Sequence, residues 1–298
     1  MQTTLKIAAG SILIGLTVLA LKGAAWWVTG SAALYSDALE TVVNVAASLI
    51  AFQALRVASR PADADHPFGH AKAEFLAAAL EGALIVAAAA SILQAAWHTW
   101  QHPHPLQTPW LGLALNAGAT LINFVWAQVL LRAARRDRSP ALAADARHLL
   151  ADVATALGVA IGVTLVIVTG KLWLDPAVAA ATAVYVLYSG LHLIKTAAGA
   201  LMDEALDDKT LAQIQAIIRF NGAGALEAHD LRTRQAGQST FLQFHLVVPS
   251  DMKVAEAHEI CDRIEGAFHR DMSHLIVAIH VEPAHKAKHE GPIVIFPA

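Results

Sequence analysis

Six long apolar segments dominate the first two thirds of this 298-residue chain. Each is close to the roughly 20 residues that a helix needs to cross the hydrocarbon core of a bilayer. A chain with 56% hydrophobic and only 15% charged residues is also too apolar for an ordinary soluble domain. The sequence therefore predicts six transmembrane helices, at residues 7–28, 33–55, 75–98, 110–131, 148–169 and 176–201.

Basic residues are concentrated in the second and fourth loops between these segments. The second loop holds Arg56 and Arg60, and the fourth is an arginine-rich stretch at 132–147. Short loops that are rich in Lys and Arg stay on the cytoplasmic side of a membrane. With six spans, this orientation also predicts that both termini and the C-terminal residues are cytoplasmic.

After residue 202 the pattern becomes that of a soluble domain. It predicts a helix at 208–220, strands at 225–233 and 240–248, a helix at 251–268 and a strand at 276–281. The order αββαβ favours an α/β domain of ferredoxin-like type. We expect a six-helix transmembrane domain at 1–202, this cytoplasmic domain at 203–285 and a loosely ordered tail at 286–298.

Four polar residues interrupt two of the membrane segments, Glu40 with Asn44 and His148 with Asp152. A spacing of four places each pair on one helix face. Ionisable side chains inside membrane helices are costly and usually face a protein interior or a water-filled path. The four residues therefore predict a transport site for a divalent metal ion. The alternative is a set of hydrogen bonds that hold packed helices together.

A metal site of this kind couples naturally to protons. Its ligands must be deprotonated, so metal binding releases protons and proton binding releases metal. His148 titrates in the range that such an exchange needs. Asp37 lies three residues before Glu40 on the same face, and it is either a relay for protons or metal or a solvated acid near the helix end.

Two further groups contain histidine, the commonest side-chain metal ligand. The first lies in the loop after the second span, where a metal site and a set of solvated side chains are equally good interpretations. Its members are Asp63, His66 and His70. The second lies in the soluble domain and favours a metal cluster. Its members are His229, His245, His258, His280 and Glu282.

Several classes of function are disfavoured. A single cysteine, Cys261, excludes an intrachain disulfide framework and a thiolate metal cluster within one chain. A net charge of −3 gives no reason to expect a nucleic-acid partner. Position 262 is Asp262, so His258 and Glu259 do not begin a zinc-protease motif. We expect a transporter without an organic cofactor, with a metal-sensing membrane scaffold or an intramembrane metalloenzyme as alternatives.

The chain resembles the cation diffusion facilitator family, of the bacterial zinc/iron efflux type, from about Leu5 to Pro283. The resemblance lies in six stretches, at residues 36–40, 60–74, 144–152, 201–203, 229–235 and 278–283. It implies a Y-shaped homodimer in a bacterial inner membrane. It also implies that cytoplasmic metal is exchanged for external protons by alternating access.

The resemblance also implies roles for the residues named above. The four membrane residues fall at the family's transport site, and the loop residues fall at a site between membrane and cytoplasm. The five residues of the soluble domain fall at a binuclear regulatory site. Lys72 and Asp203 fall at a charge interlock that holds the dimer.

One departure from the family pattern concerns the metal. The second-helix pair is usually two carboxylates, or His and Asp, whereas this chain has Glu40 and Asn44. Zn²⁺ is the favoured substrate. Because Asn44 replaces an anionic ligand, Fe²⁺, Mn²⁺, Co²⁺, Ni²⁺ and Cd²⁺ stay open as alternatives. The proton stoichiometry, and whether the cytoplasmic group regulates or only stabilises the dimer, are also left open.

Overall fold

The computed structural model describes residues 2–137, 140–236, 239–272, 274–288 and 293–295. Six helices in its first two thirds are long and apolar enough to cross a membrane, by length and composition. They are α1 (Gln2–Thr29), α2 (Ala32–Ala58), α3 (Ala73–Gln101), α4 (Pro109–Asp137), α5 (Pro140–Thr169) and α6 (Leu174–Leu201). The prediction of six membrane helices is confirmed.

The arginine-rich stretch at 132–147 is mostly helical, and its prediction as a loop is wrong. Helix α4 continues to Asp137, and α5 begins at Pro140. Leucine, alanine and arginine all favour helices, so the loss of hydrophobicity marks the edge of the hydrocarbon and not the end of a helix. The 29 residues of α4 extend over about 44 Å at 1.5 Å each, more than the roughly 30 Å of a hydrocarbon core.

The chain divides into two compact units. The first contains Met1–Gln53 and Ala77–Lys195, and the second contains Ala54–Leu76 and Thr196–Ala298. The loop between α2 and α3 therefore groups with the C-terminal residues and not with the membrane helices.

Small residues let the helices of the first unit approach closely. A Cβ atom added at Gly82 on α3 would lie 3.0 Å from the Gly190 carbonyl oxygen and 2.6 Å from the Ile194 side chain, both on α6. Elsewhere on the same two helices, Ile92 of α3 and Ala183 of α6 belong to a buried apolar cluster. Close packing of this kind is a main source of attraction between helices in lipid.

The start of α2 is fixed against α6 by Asp175. Its carboxylate accepts hydrogen bonds from the backbone amides of Ala32 at 2.6 Å and Ala33 at 3.3 Å, and from the Ser31 hydroxyl. The first amides of a helix lack partners within the helix and carry partial positive charge, so a carboxylate stabilises them. This contact attaches the start of α2, the helix that carries Glu40 and Asn44, to the start of α6.

The C-terminal part of the second unit is a mixed sheet covered on one face by two helices. Its elements are α7 (Asp208–Asn221), β1 (Glu227–Ala236), β2 (Ser239–Val248), α8 (Val254–Asp271), β3 (Leu275–Pro283) and β4 (Ile293–Val294). The sheet order is β3-β2-β1-β4, with β2 and β3 parallel and the other pairs antiparallel. The predicted αββαβ order is confirmed.

The core of this unit lies between the sheet and the helices. Leu242, Phe244 and Leu246 of β2 are at most 1% exposed and pack against Ile218 and Ile264 of the two helices. Because successive strand side chains point to opposite faces, the odd-numbered residues of β2 face away from the helices. That second face carries the histidines described below.

The tail contains a short strand that the sequence does not predict. Residues Ile293 and Val294 pair with Ala228 and Glu227 of β1. Ile293 and Ile295 are each only 5% exposed and belong to the core. The prediction of a loosely ordered tail is wrong for this segment, because burial of the two isoleucines stabilises its attachment to the sheet.

The close contact between α3 and α6 gives a first prediction. Gly82→Leu overpacks this contact, and overpacking typically costs about 1–3 kcal/mol. We expect a lower thermal unfolding midpoint for the full chain in detergent. Gly158→Leu on α5 is the matched control, because a Cβ atom there meets nothing within 4 Å. Equal losses in the two variants would contradict the packing described here.

Candidate metal sites

A small cavity lies between α1, α2, α4 and α5, and two of the predicted membrane ligands meet on its wall. Its volume is about 40 Å³, and its lining includes Thr41, Asn44 and Asp152. The Asn44 amide Nδ2 donates a 2.8 Å hydrogen bond to Asp152 Oδ2, and Asp152 is only 6% exposed. The structure thus joins the polar residues of α2 and α5 beside a space that has room for a water molecule or one ion.

Glu40 lies one turn before Asn44 on α2. Its Oε2 atom is buried and has no hydrogen-bond partner among the residues that the structure describes. Asp37 and Asp152 repel a charge on this carboxylate, and Lys22 attracts it. A buried oxygen without a partner is unfavourable, so Glu40 is suited to accept a cation or a proton.

His148, the fourth predicted membrane ligand, lies on α5 one turn before Asp152. The four-residue spacing on a continuous helix places the two residues on the same face. The side chain of His148 is outside the part of the structure that is described, so its role as a nitrogen ligand stays a prediction.

Asp37 is buried in an ion pair and is not a solvated residue at a helix end. Lys22 Nζ of α1 lies 2.7 Å from Asp37 Oδ1, and the two side chains are 2% and 1% exposed. The Asn116 amide of α4 donates a 2.5 Å hydrogen bond to Asp37 Oδ2. These contacts occupy both carboxylate oxygens and join α1, α2 and α4. A relay role for Asp37 stays a prediction.

The loop between α2 and α3 holds its three predicted ligands close together. The ligand atoms of Asp63, His66 and His70 all lie within 4.8 Å of one another. The loop folds back because the His66 amide donates a 2.7 Å hydrogen bond to Asp63 Oδ1 and Gly69 takes a positive φ of 82°. The same backbone hydrogen bond is the main reason why the pKa of Asp63 lies below its usual value. This shift favours the ionised carboxylate, which is the form that binds a metal ion.

Lys72 and Asp203, the predicted interlock pair, meet within one chain. Lys72 Nζ lies 2.8 Å from Asp203 Oδ1, and Arg234 Nη1 lies 3.8 Å from the same oxygen. The hydrogen bond from Lys72 is the largest of the effects that lower the pKa of Asp203. The pair joins the end of the loop to the segment after α6. Its role in a dimer stays a prediction.

Glu282 is the centre of the histidine group on the open face of the sheet. Its Oε2 atom lies 3.3 Å from His229 Nε2, and its Oε1 atom lies 3.3 Å from His245 Nδ1 and 3.7 Å from His280 Nε2. The strand register explains this convergence, because His245 pairs with both His229 and His280 across the sheet. Imidazole nitrogens around a carboxylate are a donor set that fits Zn²⁺ and similar divalent ions.

Glu227 orients one of these histidines, and sequence reasoning missed it. Its Oε1 atom lies 3.0 Å from His229 Nδ1. A carboxylate only accepts hydrogen bonds, so in this contact Nδ1 is the donor, which leaves Nε2 as the ring nitrogen available to a metal ion. Such an outer partner fixes the ring of a metal-binding histidine and its tautomer. The i, i+2 spacing of Glu227 and His229 on one strand face was the signal that could have identified it.

His258 is not brought to this group. Its side chain is 74% exposed on α8 and lies 3.6 Å from Asp262, so it is on the helical layer while the other histidines are on the opposite face of the sheet. Asp230, which the sequence analysis did not select, lies beside the group instead. One ligand atom from each of His229, Asp230 and His245 lies within 4.8 Å of the other two.

Comparison with known proteins gives two matching family models. The model for the cation efflux transmembrane domain matches residues 8–202, and the model for the cation efflux protein cytoplasmic domain matches residues 206–284. The transporter sll1263 of Synechocystis sp., itself uncharacterised, is 42% identical over 282 residues, covering 93% of this chain and 90% of the relative.

Two further comparisons concern named transporters. The cation-efflux pump FieF of Salmonella paratyphi A is 31% identical over 291 residues, covering 96% of this chain and 95% of the relative. A solved chain of CzrB in its zinc form is 45% identical and covers 29% of this chain and 99% of that chain, with a TM-score of 0.28.

The buried ion pair gives a second prediction. Lys22→Met leaves Asp37 buried without its cation, and breaking a buried pair in this way typically costs about 3–5 kcal/mol. We expect a large fall in the free energy of unfolding in detergent, and recovery of most of it when Asp37→Leu is added. Lys171→Met, in an exposed loop, is the control. Wild-type stability in the Lys22 variant would contradict the assignment of this pair.

Proposed function

Because the chain belongs to the cation efflux family, as the sequence resemblance predicts, we propose that it exports a divalent metal ion in exchange for protons. Zn²⁺ is the favoured substrate, and Fe²⁺, Mn²⁺, Co²⁺, Ni²⁺ and Cd²⁺ are the alternatives. In this proposal the chain is a secondary transporter of a bacterial inner membrane and not an enzyme. Both termini face the cytoplasm.

The observation that supports this proposal most is the meeting of Asn44 and Asp152 beside the cavity, with Glu40 one turn away. A purely structural set of polar residues would satisfy its buried oxygens within the protein. The buried Glu40 oxygen that lacks a partner among the described residues favours a site that exchanges ligands. Asn44 uses its amide nitrogen to bind Asp152, so its carbonyl oxygen is the atom that it offers to a metal.

The charge of the site fits a doubly charged substrate. Glu40 and Asp152 supply two negative charges, and Asn44 and His148 supply neutral oxygen and nitrogen ligands. Protons that enter from the outside compete for the two carboxylates and for His148, because these ligands bind metal only when deprotonated. Alternating exposure of the site to the two sides then couples metal export to proton entry.

The two cytoplasmic groups have supporting roles in this proposal. Asp63, His66 and His70 bind metal near the cytoplasmic entrance of the transport path. The group around Glu282 binds regulatory metal in a homodimer, which Lys72 and Asp203 help to hold. His258 contributes to that group only from a second copy, since within one chain it lies on the opposite layer.

Metal flux through the Asp152→Ala variant tests the proposal. Purified protein is reconstituted into vesicles with a zinc-sensitive dye and a pH-sensitive dye inside. We expect zinc-driven proton movement in the wild type and loss of at least about 90% of both signals in the variant, since a charged ligand is removed. Asp65→Ala, which changes an exposed acid of the loop, should transport normally. Exchange near the wild-type rate in Asp152→Ala would defeat the assignment of the site.

A metal-sensing membrane scaffold is the second candidate, and the compact group around Glu282 favours it. That group lies in the soluble unit and does not need the membrane ligands. The same vesicle assay separates the two functions when it is repeated across Zn²⁺, Fe²⁺, Mn²⁺, Co²⁺, Ni²⁺ and Cd²⁺. Absence of flux for every ion, together with a zinc-dependent change in the dimer, would support the scaffold.

A further inference from the structure

A bulge in β1 turns Asp230 toward the histidine face of the sheet. The pairing of β1 with β2 shifts between His229 and Arg232, so that two residues of β1 lie opposite Phe244. In a regular strand the residue after His229 would point into the core. Asp230 instead takes a positive φ of 53°, and one oxygen of its carboxylate lies within 4.8 Å of a ring nitrogen of His229 and of one of His245.

This backbone conformation is unusual for a residue with a side chain. Positive φ values are uncommon outside glycine, although Asp tolerates them better than most residues. Strain and bulges of this kind are often found where a side chain has to be aimed at a functional site. The bulge therefore adds a second carboxylate to the face that carries the three histidines and Glu282.

The tail holds this carboxylate through Lys288. Lys288 Nζ lies 2.6 Å from both Oδ1 and Oδ2 of Asp230. The backbone amide of Lys288 also donates a 2.7 Å hydrogen bond to Glu227 Oε1, the same atom that binds His229 Nδ1. One tail residue thus contacts the acids on both sides of His229.

Described secondary structure occurs in the chain both before and after Lys288. A short 3-10 helix, Ala284–Lys286, begins directly after β3 and ends two residues before Lys288. Strand β4 follows it and pairs with β1 at Glu227 and Ala228. Its contacts with Asp230 and Glu227 place the lysine beside the histidine group, four residues beyond the end of the cytoplasmic family model at residue 284.

An ammonium group and a divalent ion cannot both occupy the two oxygens of one carboxylate. We propose that Asp230 is a further metal ligand of the cytoplasmic histidine group, and that Lys288 is its internal competitor. Lys288 holds the Asp230 carboxylate until a divalent cation displaces the ammonium. The lysine then sets the metal concentration at which the group fills. The inference rests on the proposed metal site of the soluble domain and adds one ligand and one regulator to it.

Zinc affinity tests this inference directly. Full-length protein carries Asp152→Ala and Asp63→Ala, so that binding reports the cytoplasmic group, and zinc is titrated against a chromogenic chelator. Lys288→Gln removes the competitor, and we expect zinc to bind about three- to tenfold more tightly, as for loss of a charge-assisted contact. Lys286→Gln, which removes the same charge from an exposed position two residues earlier, should change the affinity by less than twofold.

The role of Asp230 is tested in the same assay. Asp230→Asn should weaken zinc binding about tenfold or more, and Lys288→Gln should then have no further effect. Unchanged affinity in Lys288→Gln, or an equal gain in Lys286→Gln, would overturn the competitor. Normal affinity in Asp230→Asn would overturn the ligand. Absence of zinc binding in every variant would reject the cytoplasmic metal site itself, and the inference with it.

A readout that does not depend on affinity is the reactivity of the lysine. Amine acylation of the full chain, followed by mass spectrometry, measures how accessible each ammonium group is. We expect zinc to raise the labelling of Lys288 at least about twofold and to leave Lys286 unchanged, because displacement from Asp230 releases only the first. Equal labelling of Lys288 with and without zinc would contradict displacement.

Discussion

The contact between Asn44 and Asp152 is the interaction on which the membrane site depends. It joins α2 and α5 at a cavity inside a bundle of predominantly apolar helices. A polar group at this depth must find a partner inside the protein, because lipid offers none. That constraint explains why the two residues lie side by side. It also explains why the buried Glu40 oxygen, which lacks a partner among the described residues, supports a site that binds a cation or a proton.

Acidic residues elsewhere in the chain are held by specific cations. Lys22 binds Asp37, Lys72 binds Asp203, and Lys288 binds Asp230. The first pair is enclosed by α1 and α2, so separating it would leave an unpaired charge in an apolar interior. The other two pairs are partly exposed, and an exchange of partners there costs much less. This difference is why we assign a structural role to the Lys22 pair and a switching role to the Lys288 pair.

Much of this arrangement could be predicted from the sequence, because it depends on periodicity. Hydrophobic length gives the membrane helices, and alternation along β2 and β3 places His245, His280 and Glu282 on one face. Other features depend on contacts between distant segments. The sequence does not reveal that the bulge at Asp230 exists, nor that Lys22 of one helix neutralises Asp37 of the next. The arginine-rich stretch at 132–147, which lies largely within α4 and α5, misled the prediction because polarity ends a membrane span without ending a helix.

The most direct test of the membrane site is to locate the bound ion. Anomalous diffraction at the zinc edge, from crystals of the full-length protein grown with Zn²⁺ at neutral pH, identifies each zinc position. We expect a peak between α2 and α5 with oxygens of Glu40 and Asp152 at about 2.0–2.2 Å. Peaks confined to the loop at Asp63 and to the sheet around Glu282, with none between the two helices, would contradict a transport site there.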